Sequence, residues 1–347
     1  MSRRAGFALV LVVLIIALAV VPGCGAEEPG VVDSWPEAGN ERTIPKPPEP
    51  VRWPLTGLEA PSAEVVTHRV ISVKIENSPA ARPQTNLQLA DVVYESITEG
   101  GITRFNAIFH SQFPDVVGPV RSARLSDTYI VPQYHALFAF SGASGSVNAA
   151  VKRAGIENLS QDVGVTRPYT RSSARPRPHN LYADVTKLLA EGELRGMSTT
   201  QTDIGLEFDR KSVDATPSVT AISIPFSQAN KVEWTYDAGT GTYLRVNNGK
   251  THTDAGTGSQ LSAKNVVVMW AQHRSAGTTS GSTTYEIVLA GSGRATVFHD
   301  GQRYDGTWEA TRDAPPVFKA ADGTAIKLAP GNTWFQVVNT SVNIAMQ

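Results

Sequence analysis

The chain is almost free of cysteine: Cys24 is the only one among 347 residues. A disulfide needs two cysteines, and cysteine nucleophiles and thiolate metal sites need a thiol inside the folded part. If Cys24 carries a membrane anchor, all three are excluded from the folded part. Its stability then has to come from packing alone.

Long apolar runs are also scarce. The run Phe7–Val21 is shorter than the roughly 20 residues that a membrane-spanning helix needs, and Arg3 and Arg4 precede it as in a secretory signal. The step Gly23-Cys24 resembles a bacterial lipobox, which implies cleavage before Cys24 and a diacylglycerol on its sulfur. We therefore expect a signal peptide over residues 1–23 and lipid anchoring at the extracytoplasmic face of a bacterial cell membrane. An ordinary secretory signal is the alternative, and the Sec and twin-arginine routes both stay open.

Several enzyme signatures are missing. The sequence contains no HExxH, no GxSxG, no phosphate-binding GxxxxGK[ST] and no EF-hand loop. We therefore predict no metal site and no cofactor.

The chain also lacks an excess of charge of either sign. Without Arg3 and Arg4, the 31 basic residues become 29 against 32 acidic ones, a net charge of about −3. This balance argues against nucleic acid as a partner. Residues 104–177 nevertheless carry nine basic side chains, eight of them arginine, against four acidic ones. Because the planar guanidinium suits carboxylate and phosphate oxygens, this bias favours an anionic ligand, with internal ion pairs as the alternative.

Proline marks the domain organisation. Eight of the 22 prolines lie between residues 24 and 62, where eight acidic residues up to residue 64 face three basic ones. Such a composition is typical of an extended, semi-rigid linker, so we predict an acidic tether over residues 24–62. A polar stretch near residue 205 divides the rest into an α+β domain, residues 63–205, and a β-rich domain, residues 206–347.

The periodicity predicts an α+β fold of layered sheets with helices on one side. In the first domain, strands are predicted at 70–75, 91–95, 103–109 and 137–140, and helices at 126–134, 147–154 and 184–194. The C-terminal half is predicted to be mainly β, with strands at 219–224, 231–236, 242–246, 265–270, 284–289, 294–299 and 333–338. The pairs Asn248-Gly249 and Asp300-Gly301 predict tight turns between them.

The first candidate motif follows a strand that ends at Glu76. A proline-framed loop then presents Asn77, Arg82 and Gln84. Polar side chains at strand ends are common site positions, because the sheet fixes them while the loop exposes them. We therefore treat these four residues as candidate ligand-binding residues.

The second motif contains two glutamates. An unbroken strand would place Glu95 and Glu99 on one face, where they could act as acid and base. Gly100 and Gly101 would allow a ligand or a backbone to approach closely, and Arg104 follows them. The alternative is that both carboxylates are structural and pair with arginines.

The third motif contains Arg121, Ser122 and Arg124. A continuous strand would separate the two arginines, whereas a helical turn would bring them together, and the start of a helix would offer free N–H groups to an anion. Later, a stiff loop of alternating Arg and Pro residues ends at His179 and Asn180. His179 is the histidine that we expect to be functional, as a proton carrier, and Asn180 is a further candidate for binding.

These motifs, in this order, resemble the YerB-like family of predicted bacterial lipoproteins. The resemblance covers nearly the whole chain after the tether. It implies a three-layer ββα-type sandwich and a lipobox, and it implies no reaction. The matching stretches are Glu76-Asn77, residues 81–84, 90–95, 99–104, 118–124 and 178–182, and, in the C-terminal half, 291–293, 306–308 and 331–334.

Three functional hypotheses follow. The first is a lipoprotein that binds an anionic cell-wall polymer or wall precursor through an arginine-rich cleft. The second is a hydrolase of glycosidic or phosphodiester bonds, with Glu95, Glu99 and His179 as acid–base residues. The third is an interaction scaffold of the cell envelope whose C-terminal domain uses exposed tryptophans, although we expect those tryptophans to pack in the core.

Overall fold

The computed structural model describes residues 49–201, 204–209, 218–279 and 281–347. The predicted signal peptide, Cys24 and the first part of the predicted tether lie outside these ranges. Among the described residues, no helix has the length and the apolar composition needed to cross a membrane.

The first half of the chain contains short strands and three helices within the described residues. Pro132 lies in the last turn of the first helix, which ends one residue later, and Asp184 caps the third helix by accepting the Lys187 N–H at 2.9 Å. The elements are β1 (Ile71–Glu76), β2 (Val92–Ile97), β3 (Thr103–Phe109), α1 (Asp127–Gln133), β4 (Leu137–Ala139), α2 (Gly145–Arg153), β5 (Tyr169–Arg171), β6 (Leu181–Ala183) and α3 (Val185–Leu194).

The second half is almost entirely β, as the sequence predicts. Asn248-Gly249 and Asp300-Gly301 form two-residue turns with positive φ at both positions. The strands are β7 (Ala221–Ser227), β8 (Asn230–Asp237), β9 (Thr242–Asn247), β10 (Lys250–Thr251), β11 (Ser262–Ala263), β12 (Asn265–Thr279), β13 (Ser282–Val288), β14 (Gly291–His299), β15 (Gln302–Ala310), β16 (Val317–Lys319), β17 (Thr333–Asn339) and β18 (Ala345–Met346).

One large sheet contains strands from both halves of the chain. In the described residues it has ten strands in the order β16-β15-β14-β12-β17-β2-β3-β1-β4, and β13 pairs with β12. Strand β17, from the end of the chain, runs parallel to β12 on one side and to β2 on the other. The two predicted domains are therefore joined by backbone hydrogen bonds through β17.

A smaller sheet packs on one face of the large sheet. It has the order β10-β9-β8-β7-β18, with β11 beside β9. Trp234 of the small sheet meets Trp334 of the large one edge-on, with ring centroids 5.2 Å apart, and Phe105 meets Trp334 at 5.4 Å. These buried rings form the centre of the core between the sheets.

The opposite face of the large sheet is covered by α1 and α2. Ile130 and Val131 of α1 and Val147 of α2 pack with Tyr94 and Phe138 of the sheet. The predicted layered α+β fold is thus confirmed, with two sheets and a helical layer. Helix α3 packs on the other face, beside the small sheet and over β1 and β4.

The folded part starts earlier than the predicted end of the tether at residue 62. Leu55 is fully buried, Trp53 packs edge-on against His110 at 5.1 Å, and the Gly331 N–H donates to the Thr56 carbonyl at 2.8 Å. Apolar side chains among the prolines therefore anchor this segment to the sheet, a tertiary contact that composition does not predict.

Candidate functional site

The predicted site residues lie around the adjacent ends of β1, β2 and β3. In the register, Glu76 lies opposite Arg104, and Glu95 lies opposite Phe105. Since neighbouring side chains along a strand point to opposite faces, Glu76 and Arg104 face the helical layer, whereas Glu95 faces the small sheet. The sheet therefore divides the predicted residues into two groups.

The segment that carries the third motif lies beside β1. The Pro119 carbonyl accepts from the Glu76 N–H at 2.9 Å, and the Arg121 N–H donates to the Lys74 carbonyl at 2.8 Å. Gly118, with φ of 153°, starts this segment, and a Cβ there would lie 2.9 Å from the Leu181 carbonyl oxygen. Only glycine allows this approach, which brings the arginines to the end of β1.

Three arginines converge there with two glutamates and one histidine; we call Arg104, Arg121, Arg124, Glu76, Glu99 and His179 the arginine cluster. Arg121 Nε lies 3.4 Å from Glu76 Oε1. Arg124 binds Glu99 Oε2 through Nε at 2.8 Å and Nη2 at 2.6 Å. Arg104 has no carboxylate partner within the described part of the chain, and its Nη1 donates to the Ser122 carbonyl at 2.9 Å. The cluster thus carries one more arginine than carboxylates.

Arg104 is the most enclosed arginine of the cluster, at 6% exposure. Its Nε has no hydrogen-bond acceptor among the described residues. Burial, followed by the charges of Arg124 and Arg121, lowers the pKa of Arg104 to about 9, so it still carries its charge at neutral pH. The charges of Glu99 and Glu76 oppose part of this shift, and a further anion would stabilise the buried cation more.

Glu76 orients the histidine of the cluster. His179 Nδ1 lies 2.9 Å from Glu76 Oε1, and Ser78 Oγ donates to the same oxygen at 2.8 Å. Glu76 Oε2 is buried and accepts no hydrogen bond in the described structure. Arg121 and His179 have side chains that are 23% exposed, whereas that of Glu76 is 2% exposed, so the cluster opens to solvent at its arginine and histidine.

Asp127, which sequence reasoning missed, supports the cluster from α1. Its Oδ2 accepts from the Arg124 N–H at 2.7 Å, so the N–H that the helix start was expected to offer to an anion is already occupied. Its Oδ1 binds Lys74 Nζ at 2.6 Å and Asn106 Nδ2 at 3.1 Å. Burial lowers the pKa of Lys74, an effect that Asp127 opposes. The sequence did contain a signal for Asp127, because an acidic residue in the first turn of a predicted helix often binds backbone N–H groups there.

Glu95 belongs to the other face and is fully enclosed. It forms an ion pair with Arg245 of β9 at 2.9 Å, and neither side chain is exposed. Asn77 Nδ2 at 3.2 Å and Thr103 Oγ1 at 2.7 Å donate to the same carboxylate. The guanidinium of Arg245 lies over the ring of Trp334, 4.9 Å from its centroid.

The first motif also joins this buried group. Gln84 Oε1 lies 2.7 Å from His252 Nε2, and Gln84 Nε2 donates to the Glu76 carbonyl at 2.8 Å. His252 Nδ1 accepts from Arg245 Nε at 3.0 Å. Arg82 donates from Nε and Nη2 to the side-chain and backbone oxygens of Asn77, both at 2.8 Å.

Glu95 and Glu99 do not share a face. Strand β2 ends at Ile97, and a turn follows in which Gly100 and Gly101 adopt φ of 72° and 74°. This turn directs Glu99 to Arg124. Burial by itself would raise the pKa of Glu99, but the hydrogen bond and the charge of Arg124 are together stronger, so the pKa of Glu99 is lowered. The expectation of a carboxylate pair on one strand face is therefore wrong.

Ser122 and Asn180 have different surroundings. Ser122 contributes its carbonyl to Arg104, so its backbone belongs to the cluster. Asn180 accepts from Arg171 Nη1 at 3.0 Å and donates to the Ser172 carbonyl at 2.8 Å, and it holds β5 and β6 together. The structure therefore brings Glu76, Arg104, Arg121 and Arg124 together and leaves Asn180 apart.

Comparisons with known proteins place the chain in a family. Residues 55–198 and 222–335 match the models described as "Protein of unknown function (DUF3048)", N-terminal and C-terminal domain respectively. A protein of Bacillus subtilis (strain 168), described as "Putative lipoprotein YerB", is 28% identical over 300 residues, which cover 85% of this chain and 88% of that protein. The crystal structure of YerB protein from Bacillus subtilis superposes with a TM-score of 0.76 and 28% identity, covering 85% of this chain and 99% of the other. The resemblance to YerB is thus confirmed, and the chain belongs to the DUF3048 family of proteins of unknown function.

Proposed function

We propose that this protein is a lipid-anchored lipoprotein of the cell envelope whose arginine cluster binds an anionic group of a wall polymer or wall precursor. The observation that carries the proposal is Arg104, a buried cation without a carboxylate partner in the described residues, held beside Arg121 and Arg124. Lipid anchoring is supported by Gly23-Cys24 and by the description of the Bacillus subtilis relative.

The chemistry of the cluster suits an oxyanion. Arg121 is the most accessible of the three arginines, and its Nε lies 3.4 Å from Glu76 Oε1. A phosphate or carboxylate at this opening would accept charge-assisted hydrogen bonds, each worth about 1.5–3 kcal/mol. It would also offset the repulsion among the three cations. Binding should therefore weaken as the salt concentration rises.

A hydrolase is less well supported. It needs Glu95 and Glu99 in one cleft, but Glu95 is enclosed with Arg245 on the far side of the sheet, and Glu99 is held by Arg124. His179 pairs with Glu76 and with neither of the two predicted acid–base glutamates. The geometry therefore favours binding over hydrolysis at this cluster.

The scaffold hypothesis also loses its proposed surface. The tryptophans of the C-terminal half are buried, with exposures of 4% or less. They pack in the core, as we expected from the sequence. They are Trp234, Trp270, Trp308 and Trp334.

Arg121→Ala tests the proposal. Cosedimentation of the full chain with Bacillus subtilis cell walls, before and after chemical removal of their phosphate polymers, measures the affinity. We expect wild-type binding to depend on the polymers and Arg121→Ala to weaken it about tenfold or more, because one charge-assisted contact is lost. Arg153→Ala removes the same charge from an exposed position on α2 and serves as the matched control.

Two outcomes would contradict the proposal. One is equal sedimentation of wild type and Arg121→Ala at low salt. The other is equal binding to three wall preparations: untreated walls, walls stripped of phosphate polymers, and walls whose carboxylates are chemically blocked. Circular dichroism of each variant checks that the fold is intact, and Arg121 is chosen over Arg104 because it is the more exposed.

A further inference from the structure

One pocket of the described structure has no residue of the arginine cluster in its lining. It has a volume of about 400 Å³ and opens between the loop after β1 and the hairpin of β9 and β10. Arg175 holds the loop by donating to the carbonyls of Ala81 and Pro83, at 2.6 and 2.7 Å. The pocket wall is therefore formed by two braced segments, one from each half of the chain.

The charged side chains that line this pocket are both basic. Arg82 comes from the loop and Lys250 from the hairpin, and no acidic residue lines the pocket within the described structure. Lys250 is exposed and forms no ion pair among the described residues. Beneath them, Arg245 is neutralised by Glu95 alone. The pocket thus has a net positive charge that an anion would offset.

Burial and the charge of Arg245 also act on Arg82. Together they lower the pKa of Arg82 to about 10, although Glu95 opposes the shift. Arg82 is held in place by its two hydrogen bonds to Asn77. A preorganised guanidinium of this kind binds an oxyanion with little further loss of side-chain freedom.

An unfilled hydrogen-bond acceptor lies at the same place. Asn247 lines the pocket at 2% exposure, and its Nδ2 donates to Asn230 Oδ1 at 2.7 Å and to the Lys231 carbonyl at 2.9 Å. Its Oδ1 receives no hydrogen bond in the described structure. Because this oxygen is shielded from solvent, a ligand in the pocket would meet the exposed side chains of Lys250, Thr251 and Thr253.

The other residues that line the pocket favour an acidic sugar over a nucleotide. Pro79 and Pro83 present apolar ring faces, and Thr251 and Thr253 present hydroxyls. Among the described residues, His252 supplies the only aromatic ring in the lining, and its two nitrogens are already bound to Arg245 and Gln84. A nucleotide base would therefore have little to stack on, whereas a sugar ring can place its C–H face on proline and its hydroxyls on polar groups.

We infer that this pocket binds a small acidic sugar, with its carboxylate or phosphate between Arg82 and Lys250 and its hydroxyls on Thr251 and Thr253. A volume of about 400 Å³ lies within the usual range for pockets that bind small molecules. The inference does not rest on the arginine cluster, because no residue of that cluster lines the pocket.

Saturation-transfer NMR on the full chain tests the inference, with glucuronate and glucose 6-phosphate as probes. Glucose and inorganic phosphate are the matched controls: glucose lacks the acidic group, and inorganic phosphate lacks the sugar ring. We expect at least one of the two acids to bind with a Kd of about 1 mM, and both controls to bind about tenfold more weakly or worse. Lys250→Gln and Arg82→Gln should each raise the Kd about tenfold.

Lys152→Gln, which removes the charge of an exposed lysine of α2, should leave the Kd unchanged. Lys250 is exposed, so its variant is expected to fold even if Arg82→Gln does not. Three results would overturn the inference: no binding of either acid, equal affinity for glucose or inorganic phosphate, and an unchanged Kd in Lys250→Gln.

Discussion

The ion pair between Glu95 and Arg245 joins the two halves of the chain inside the core. Arg245→Met keeps the apolar stem and removes the charge. Glu95 would then keep its hydrogen bonds from Asn77 and Thr103 but lose its only cationic partner among the described residues. Removing one partner of a buried ion pair typically costs about 3–5 kcal/mol, so we expect the free energy of unfolding to fall by that amount.

The aromatic surroundings of Arg245 add to this cost. Its guanidinium lies 5.5, 5.2 and 4.9 Å from the ring centroids of Phe105, Trp234 and Trp334. A desolvated cation–π contact is worth up to about 2 kcal/mol, although these terms do not add fully. For Arg245→Met we therefore expect a loss in the free energy of unfolding near the upper end of about 3–5 kcal/mol.

A double-mutant cycle separates the pair from simple loss of packing. In Glu95→Gln with Arg245→Met, neither charge is left unpaired, so the double variant should be more stable than the sum of the two single effects by at least about 1 kcal/mol. Equilibrium unfolding in urea, followed by circular dichroism and tryptophan fluorescence, measures each corner. Tm should fall by roughly 5–10 °C in Arg245→Met.

The matched control is Lys231→Met in the neighbouring strand β8. Lys231 pairs with Glu233 at 2.7 Å, but its side chain is 53% exposed, so we expect a change within about 0.5 kcal/mol. A loss of less than about 1 kcal/mol in Arg245→Met would refute the reasoning, and so would strict additivity in the cycle.

Two further predictions concern pH and anchoring. Burial lowers the pKa of His110 from its ordinary value of 6.5 to about 4 in the folded chain. Between pH 6.5 and pH 4, therefore, the unfolded chain binds a proton at this residue and the folded chain does not. Stability from this residue is present above about pH 6.5 and is lost as pH falls, by roughly 2 kcal/mol at pH 5 relative to pH 7. His110→Phe should flatten a urea-unfolding series across this window and the exposed His135→Gln should not; an equal slope in all three proteins would contradict this. Cys24→Ala should move the chain from the membrane pellet to the soluble fraction, whereas Ser34→Ala should stay in the pellet; pelleting of both variants alike would count against the lipid anchor.

Much of the fold was predictable because its signals are local. The β-branched residues of β1, the alternation of residue types along β3, and the Asn-Gly and Asp-Gly turns are all patterns of residues a few positions apart. Strand β15 was missed although it follows the Asp300-Gly301 turn, since Gly306 and its polar neighbours hide the alternation of Tyr304 and Trp308. The position of β17 between β12 and β2 was not predictable, because strand order depends on contacts across the whole chain.

The same division holds for the candidate site. The sequence by itself determined the lipobox-like Cys24, the arginine-rich stretch, and the polar residues that follow β1. Only the tertiary structure decided that Arg104, Arg121 and Arg124 converge while Glu95 turns away from them. The physical reason is that side chains alternate across a sheet, so the partner of each charge depends on what packs on that face: Asp127 and Glu99 on one side, and Arg245, 150 residues further along the chain, on the other.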